Sequence, residues 1–166
     1  MAEILRGLRF AKYEGGGQPR VMDVPVKVSQ TIYRGAVLRL SATSGSACLA
    51  AEASTSLYGV ALHNKSTTAT QTTATLKMIP VTGDAIWIAR GAPSTMTNAA
   101  AWSFLNKYAD LELPTAGYFR IDTAASTKTM RIVGYPSKTA EATGAGREWY
   151  VKFIASASHY DFGLST

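Results

Sequence analysis

Short stretches of alternating apolar and polar residues run through the chain and predict β-strands. The first lies at residues 21–28, where every second side chain is apolar: Met22, Val24, Val26 and Val28. A period of two is typical of a strand with one buried face. Pro25 has no N–H to donate to a neighbouring strand, so we expect this strand at a sheet edge or in an extended arm.

Similar runs recur along the rest of the chain, each bounded by Gly, Ser or Thr. They predict strands at residues 36–41, 47–51, 57–62, 76–81, 85–90, 118–121, 129–133 and 149–154. In the last run Trp149, Val151 and Phe153 share one face. The connection at residues 82–84 contains Gly83 and has the length of a hairpin turn, so we expect its two flanking strands to pair.

Two segments differ from this pattern. Residues 66–75 contain six threonines and no charged residue, which is compatible with a strand and equally with a polar loop. Between Pro93 and Asp110 the spacing of apolar residues lengthens, which predicts one short helix or helical turn.

The pattern predicts an all-β fold, a small sandwich or barrel of about eight short strands with one short helix. A length of 166 residues suits one domain with a single core. The glycine run at residues 15–17 has too little apolar content for an element of its own. We therefore predict an extended N-terminal arm, residues 1–35, followed by a single β domain, residues 36–166.

Charge makes the N-terminal segment distinctive. The chain has 17 basic and 11 acidic residues, a net charge of +6, and residues 1–40 hold seven of the basic and three of the acidic ones. A basic segment ahead of a nearly neutral body suits an arm that reaches over an acidic partner surface. A solvated, frayed terminus explains the same charge equally well.

Several protein classes are excluded by composition. Cys48 is the only cysteine, so neither an internal disulfide nor a zinc site made of several cysteines can form. It lies in an Ala/Leu run, where we expect a buried and inert thiol. No apolar run approaches the length of a membrane span. Arg6 and Arg9 interrupt the start where a signal peptide would be apolar, so we expect synthesis in the cytoplasm.

The sequence offers little for catalysis. Its two histidines are His63, at an expected strand end, and His159 near the C-terminus. Ser158, His63 and Asp161 could be combined into a triad, but no Gly-x-Ser-x-Gly turn supports it. We expect surface or capping roles for both histidines, and a protein that is not an enzyme.

No cofactor or metal site is predicted either. The densest acidic stretch offers only Asp110 and Glu112, which we expect to be solvated on a loop. The glycine run at 15–17 lacks the Lys-Ser/Thr that follows in a phosphate-binding loop.

Nucleic-acid binding is one alternative, because the isoelectric point is 9.6. The basic residues are spaced singly, however, and no set of aromatics suited to stacking bases is evident, so we do not expect nucleic acid as a partner. We expect Trp87, Trp102 and Trp149 in the core, since each lies among or beside apolar residues. An exposed aromatic platform for a glycan or receptor, as in a fibre module, is a further alternative.

The order of these features resembles that of the head decoration, or cement, proteins of tailed bacteriophages. The resemblance covers residues 21–156 and rests on an extended stretch from Val24 to Leu40, followed by Gly-Val-Ala at 59–61. Later come Tyr-Phe-Arg-Ile at 118–121, Thr-Met-Arg-Ile-Val-Gly at 129–134 and the closing Trp-Tyr-Val-Lys-Phe at 149–153.

The resemblance implies a structural virion protein that binds the outer surface of the head and stabilises contacts between major capsid protein subunits. It also implies a homo-oligomer, with a trimer favoured and a dimer second. On the arm, four apolar residues are expected to bury against capsid or a sister protomer: Leu5, Leu8, Phe10 and Tyr13. Four basic residues are expected to set the register on an acidic surface: Arg6, Arg9, Lys12 and Arg20.

Overall fold

The structure, a computed structural model, describes residues 7–51, 54, 56–92, 96, 101–113, 119–123, 128–135, 148–154 and 157. Of these residues 49% are in strands and 3% in a helix, which confirms the predicted all-β class. The strands are β1 Arg9–Tyr13, β2 Met22–Pro25, β3 Thr31–Ile32, β4 Val37–Leu40, β5 Ala47–Leu49, β6 Gly59–Ala61, β7 Lys65–Ser66, β8 Thr75–Pro80, β9 Ala85–Arg90, β10 Tyr108–Glu112, β11 Arg120–Asp122, β12 Met130–Gly134 and β13 Glu148–Phe153. A short 3-10 helix, Ala101–Phe104, lies between β9 and β10.

The strands form three antiparallel sheets. One sheet has six strands in the order β1-β9-β13-β12-β10-β11, a second has five in the order β2-β8-β6-β4-β5, and β3 pairs with β7. The sheets do not close into a barrel and are consistent with a sandwich. At one end of the five-stranded sheet a parallel bridge joins Val26 to Ala47, which links its two edge strands.

The core is built on alternation within the strands. In β13, Trp149, Val151 and Phe153 are buried, whereas the residues between them are half-buried, as the sequence predicted. Trp87 of β9 is fully buried, with its ring edge-on to Phe10 at 5.6 Å and to Phe153 at 6.1 Å. Aromatic pairs in this geometry stabilise a core beyond the area they bury.

The segment predicted as an arm contributes one strand to each sheet. From Gly7 onward, β1 pairs with β9, β2 with β8 and β3 with β7. Leu8 is only 2% exposed and belongs to the same core cluster as Trp87. Residues 7–35 are therefore part of the folded domain in this structure, and residues 1–6 lie outside the described part.

The expected hairpin at residues 82–84 is wrong. β8 lies in the five-stranded sheet and β9 in the six-stranded sheet, so the connection carries the chain from one sheet to the other.

The expected edge position of the strand containing Pro25 is confirmed, because β2 ends the five-stranded sheet. The Thr-rich stretch is mostly loop: β7 takes only Lys65–Ser66 before β8 begins at Thr75.

The expected helix is shorter than its pattern, since the described part of that region is helical only at Ala101–Phe104. Four strands were not predicted, namely β1, β3, β7 and β10. Over the described residues, no helix is long and apolar enough to cross a membrane.

Candidate binding surfaces

The apolar residues expected to contact a partner pack mainly against this chain's own core. Leu8 is buried, and Phe10 and Tyr13 are half-buried against the core cluster, with their rings 4.9 Å apart. Leu5 lies outside the described residues. Contact of Leu8, Phe10 and Tyr13 with a capsid or a sister protomer stays a prediction, although folding already covers most of their surface.

The basic residues of the same segment differ in exposure and in whether they form an ion pair. Arg9 is half-buried and forms an ion pair with Glu148 of β13. Lys12 and Arg20 are exposed, and the backbone N–H of Arg20 donates to the Tyr13 hydroxyl at 3.3 Å. Arg6 lies outside the described residues. Lys12 and Arg20 are thus the predicted contact residues whose side chains remain open to a partner.

Residues 14–22 form an exposed connection between the two large sheets. Every residue in it is exposed except Pro19, which is half-buried. Its ends are held by β1 and β2, and the Glu14 N–H donates to the Asp84 carbonyl at 3.0 Å. Val21 is 49% exposed and Met22 36% exposed, so the exposed connection carries two of the largest exposed apolar side chains among the described residues.

The outer face of the six-stranded sheet carries a row of five residues, three of which are basic. Strand register places five residues in line across five strands: Lys12, Ile86, Lys152, Arg131 and Tyr108. Directly paired residues on neighbouring strands project from the same face. We call these five residues the cationic row.

Few acidic groups offset the cationic row. Glu14 pairs with Lys152 at 2.8 Å, and Lys128 lies over the Tyr108 ring, 5.2 Å from its centroid. Beside the row is an open concavity of about 490 Å³, whose lining includes Glu14, Arg131, Lys152 and Val133. This part of the surface can hold an anionic group next to apolar side chains.

Of the three residues considered for a catalytic triad, the structure describes only His63. The exposed His63 accepts a hydrogen bond at Nε2 from the Lys77 N–H, 3.2 Å away, which fits the expected structural role. Ser158, His159 and Asp161 lie outside the described residues. Within the described part of the chain, no three His, Cys, Asp or Glu side chains group as metal ligands would.

The expectation that Asp110 is solvated on a loop is wrong. Asp110 lies on β10, is 4% exposed, and its Oδ1 accepts hydrogen bonds from the Thr129 hydroxyl at 2.9 Å and from the Leu111 N–H at 2.7 Å. Glu112, on the same strand, is half-buried. Hydrogen bonds of this kind offset the cost of removing a polar group from water.

The expectations for other isolated residues are confirmed where the structure describes them. Cys48 is a free thiol, 5% exposed. Trp87 and Trp149 are buried in the core, whereas the side chain of Trp102 lies outside the described part.

The chain was compared with known protein families, curated proteins and solved structures. No family model, no curated protein and no solved structure matches this chain.

Proposed function

We propose that this protein is a decoration protein of a bacteriophage head. It binds the outside of the assembled head and stabilises contacts between major capsid protein subunits, without catalysing a reaction. The exposed connection is the observation that carries the proposal, because it presents apolar and basic side chains on a segment held at both ends by the fold. The resemblance of residues 21–156 to decoration proteins supplies the class of partner.

The composition of the exposed connection suits binding to a protein. Val21 and Met22 lie next to each other with 49% and 36% of their surfaces exposed, and Arg20 precedes them. Methionine and arginine are both enriched at protein interfaces relative to the rest of the surface. Arg20 can then pair with a carboxylate of the capsid at the rim.

The sheets limit the entropy lost when the exposed connection binds. Tyr13 at the end of β1 pairs with Ala85, and Met22 at the start of β2 pairs with Met78. Between these points the Gly16 N–H donates to the Tyr13 carbonyl at 3.1 Å. Holding a binding segment near its bound conformation lowers the cost of ordering it.

A capsid lattice would strengthen modest contacts. We propose a symmetric oligomer, a trimer first and a dimer second, seated at a local symmetry axis of the head. Several protomers would then engage at once, which raises the overall affinity without new contacts. The protein would be made in the host cytoplasm and would function on the virion surface.

The test is cosedimentation with empty heads assembled from the major capsid protein encoded in the same genome. The wild-type protein should pellet with heads, and heads carrying it should withstand a higher temperature before they disassemble. The double variant Val21→Ser with Met22→Ser should bind at least about tenfold more weakly, since it removes the apolar anchors.

The matched control is Leu105→Ser, which alters an apolar side chain of similar exposure, 37%, outside the exposed connection. It should bind heads as the wild type does. Failure of the wild-type protein to bind heads would remove the proposed function. Equal losses in the double variant and in the control would remove the role of the exposed connection. Deletion of residues 1–20 is a poorer test, because it also removes β1 and the buried Leu8.

A further inference from the structure

We infer that the cationic row is a second binding surface, which takes a protein segment rich in carboxylates. This goes beyond the proposed function, because it concerns the outer face of the six-stranded sheet and not the exposed connection. It also does not require that the partner be a capsid.

The geometry of the cationic row follows from strand register. Lys12 pairs with Ile86, Ile86 with Lys152, Lys152 with Arg131 and Arg131 with Tyr108. Neighbouring strands lie about 4.8 Å apart, so the row extends about 19 Å across the sheet. The three cations project from one face between β1 and β12, three strand spacings or about 14 Å apart at their ends, which is the length of a short peptide segment.

One pair in the cationic row works against folding. Arg131 and Lys152 lie directly opposite each other on β12 and β13. Like charges in this position destabilise a sheet. Lys152 is compensated by Glu14 at 2.8 Å, whereas Arg131 is exposed and forms no ion pair with an acidic residue in the described part of the chain. A carboxylate from a partner would offset this repulsion, because it would contact Arg131 beside Lys152.

The surroundings of the cationic row favour a protein over a nucleic acid. Lys128 lies over the Tyr108 ring, so one face of the row's single aromatic side chain is not open to a base. Glu14 and Glu148 lie on or beside the same face and interrupt its basic residues, so the face offers no continuous path to a phosphate backbone, whereas the carboxylates of a protein can be spaced to match separate cations. Base stacking and an uninterrupted basic path are what single-stranded nucleic-acid sites use.

The apolar residues on this face also favour a protein partner. Ile86, within the row, and Ile88, two residues along β9, are half-buried and therefore present part of their surfaces to a partner. The concavity of about 490 Å³ beside Arg131 and Lys152 is also lined by Val133 and Ile154. Basic side chains mixed with isoleucine, valine and tyrosine suit carboxylates carried on a protein chain.

The test is an NMR titration of the isotope-labelled protein with a short peptide of alternating Glu and Ala, at about 150 mM salt. The peptide should shift amide signals of β1, β9, β12 and β13. In the double variant Lys12→Glu with Arg131→Glu, the affinity should fall by at least about tenfold. The matched control is Lys27→Glu with Arg39→Glu, which makes the same change in net charge at exposed positions outside this sheet and should bind within about twofold of the wild type.

Three results would overturn the inference. They are no binding of the peptide, an equal loss in the control, and tighter binding of an oligothymidylate of the same length than of the peptide. The last result would assign the face to nucleic acid. Arg131→Glu places a carboxylate opposite Lys152, and Lys12→Glu changes an exposed side chain on an edge strand, so neither should unfold the sheet. The dispersion of the amide signals in the same spectra checks that the double variant is folded. Cosedimentation with heads is measured separately, so the proposed function can stand if the peptide does not bind.

Discussion

A close backbone contact between Gly7 and Gly35 attaches the N-terminal segment to the rest of the domain, and a substitution at Gly35 tests it. The two backbones cross: the Leu8 N–H donates to the Gly35 carbonyl at 2.9 Å, and the Gly35 N–H donates to the Ala61 carbonyl at 2.8 Å. Gly35 has a φ of +83°, and a Cβ there would lie 2.7 Å from the Leu8 carbonyl oxygen and 2.8 Å from the Gly7 backbone. Gly35→Ala should therefore be strongly destabilising.

Two costs add up in Gly35→Ala. A residue with a Cβ loses about 1–2 kcal/mol in the left-handed region. The overlap involves backbone atoms that cannot rotate away, and forced contacts of this kind cost about 1–3 kcal/mol. The expected loss is about 2–5 kcal/mol from a total stability of about 5–15 kcal/mol. For a domain of this size the melting temperature should fall by roughly 4–20 °C.

Gly45→Ala and Gly15→Ala separate the two costs. Gly45 has a φ of +64°, and a Cβ there would meet no other atom within 4 Å, so only the backbone cost of about 1–2 kcal/mol should appear. Gly15 has open space and no positive φ, so its substitution should be nearly neutral. Urea unfolding followed by tryptophan fluorescence measures all three variants. If Gly35→Ala costs no more than Gly45→Ala, the backbones do not cross closely and our account of the N-terminal segment fails.

Three further predictions concern single side chains. Arg131→Glu should raise stability by about 0.2–1 kcal/mol, because it replaces a repulsive pair with Lys152 by an attractive one; a loss in urea unfolding would contradict this. Thr129→Val should cost about 1–3 kcal/mol in the same assay, since the buried Asp110 loses a hydrogen bond, and a neutral effect would show that this bond is dispensable. Cys48 should react with a thiol reagent only as fast as the protein opens, and rapid labelling of the native protein would refute its burial.

Several strands could be predicted because their local pattern reports burial on one side. Trp149, Val151 and Phe153 alternate with half-buried residues in β13 as the sequence indicates. The edge position of β2 was also predictable, because Pro25 lacks the N–H that an interior strand must donate. In both cases the residues themselves carry the physical cause.

Other features depend on contacts that the sequence does not show. The assignment of β8 and β9 to different sheets is set by strand partners distant in the chain. On β10 the alternation is obscured because Asp110 is buried, and its partner Thr129 lies on another part of the chain. A carboxylate that is buried with a hydrogen bond looks in sequence like one that is solvated.

The strand β1 was not predicted because its backbone is locally irregular. The same irregularity determines which side chains of β1 reach the core and which reach the cationic row. The register of β1 shifts between Phe10 and Lys12, an irregularity of the kind a β-bulge produces. Phe10 and Tyr13 can then both contact the core although they are three residues apart, which breaks the period of two.

The same irregularity determines where the basic side chains lie. With Phe10 and Tyr13 turned toward the core, Lys12 remains exposed and pairs with Ile86 at the end of the cationic row. A one-residue change of register would exchange these faces, because successive side chains of a strand alternate. The positive charge near the N-terminus is therefore held in register by the packing of its apolar neighbours. Such a surface can bind without first ordering a free segment, which lowers the entropic cost of association.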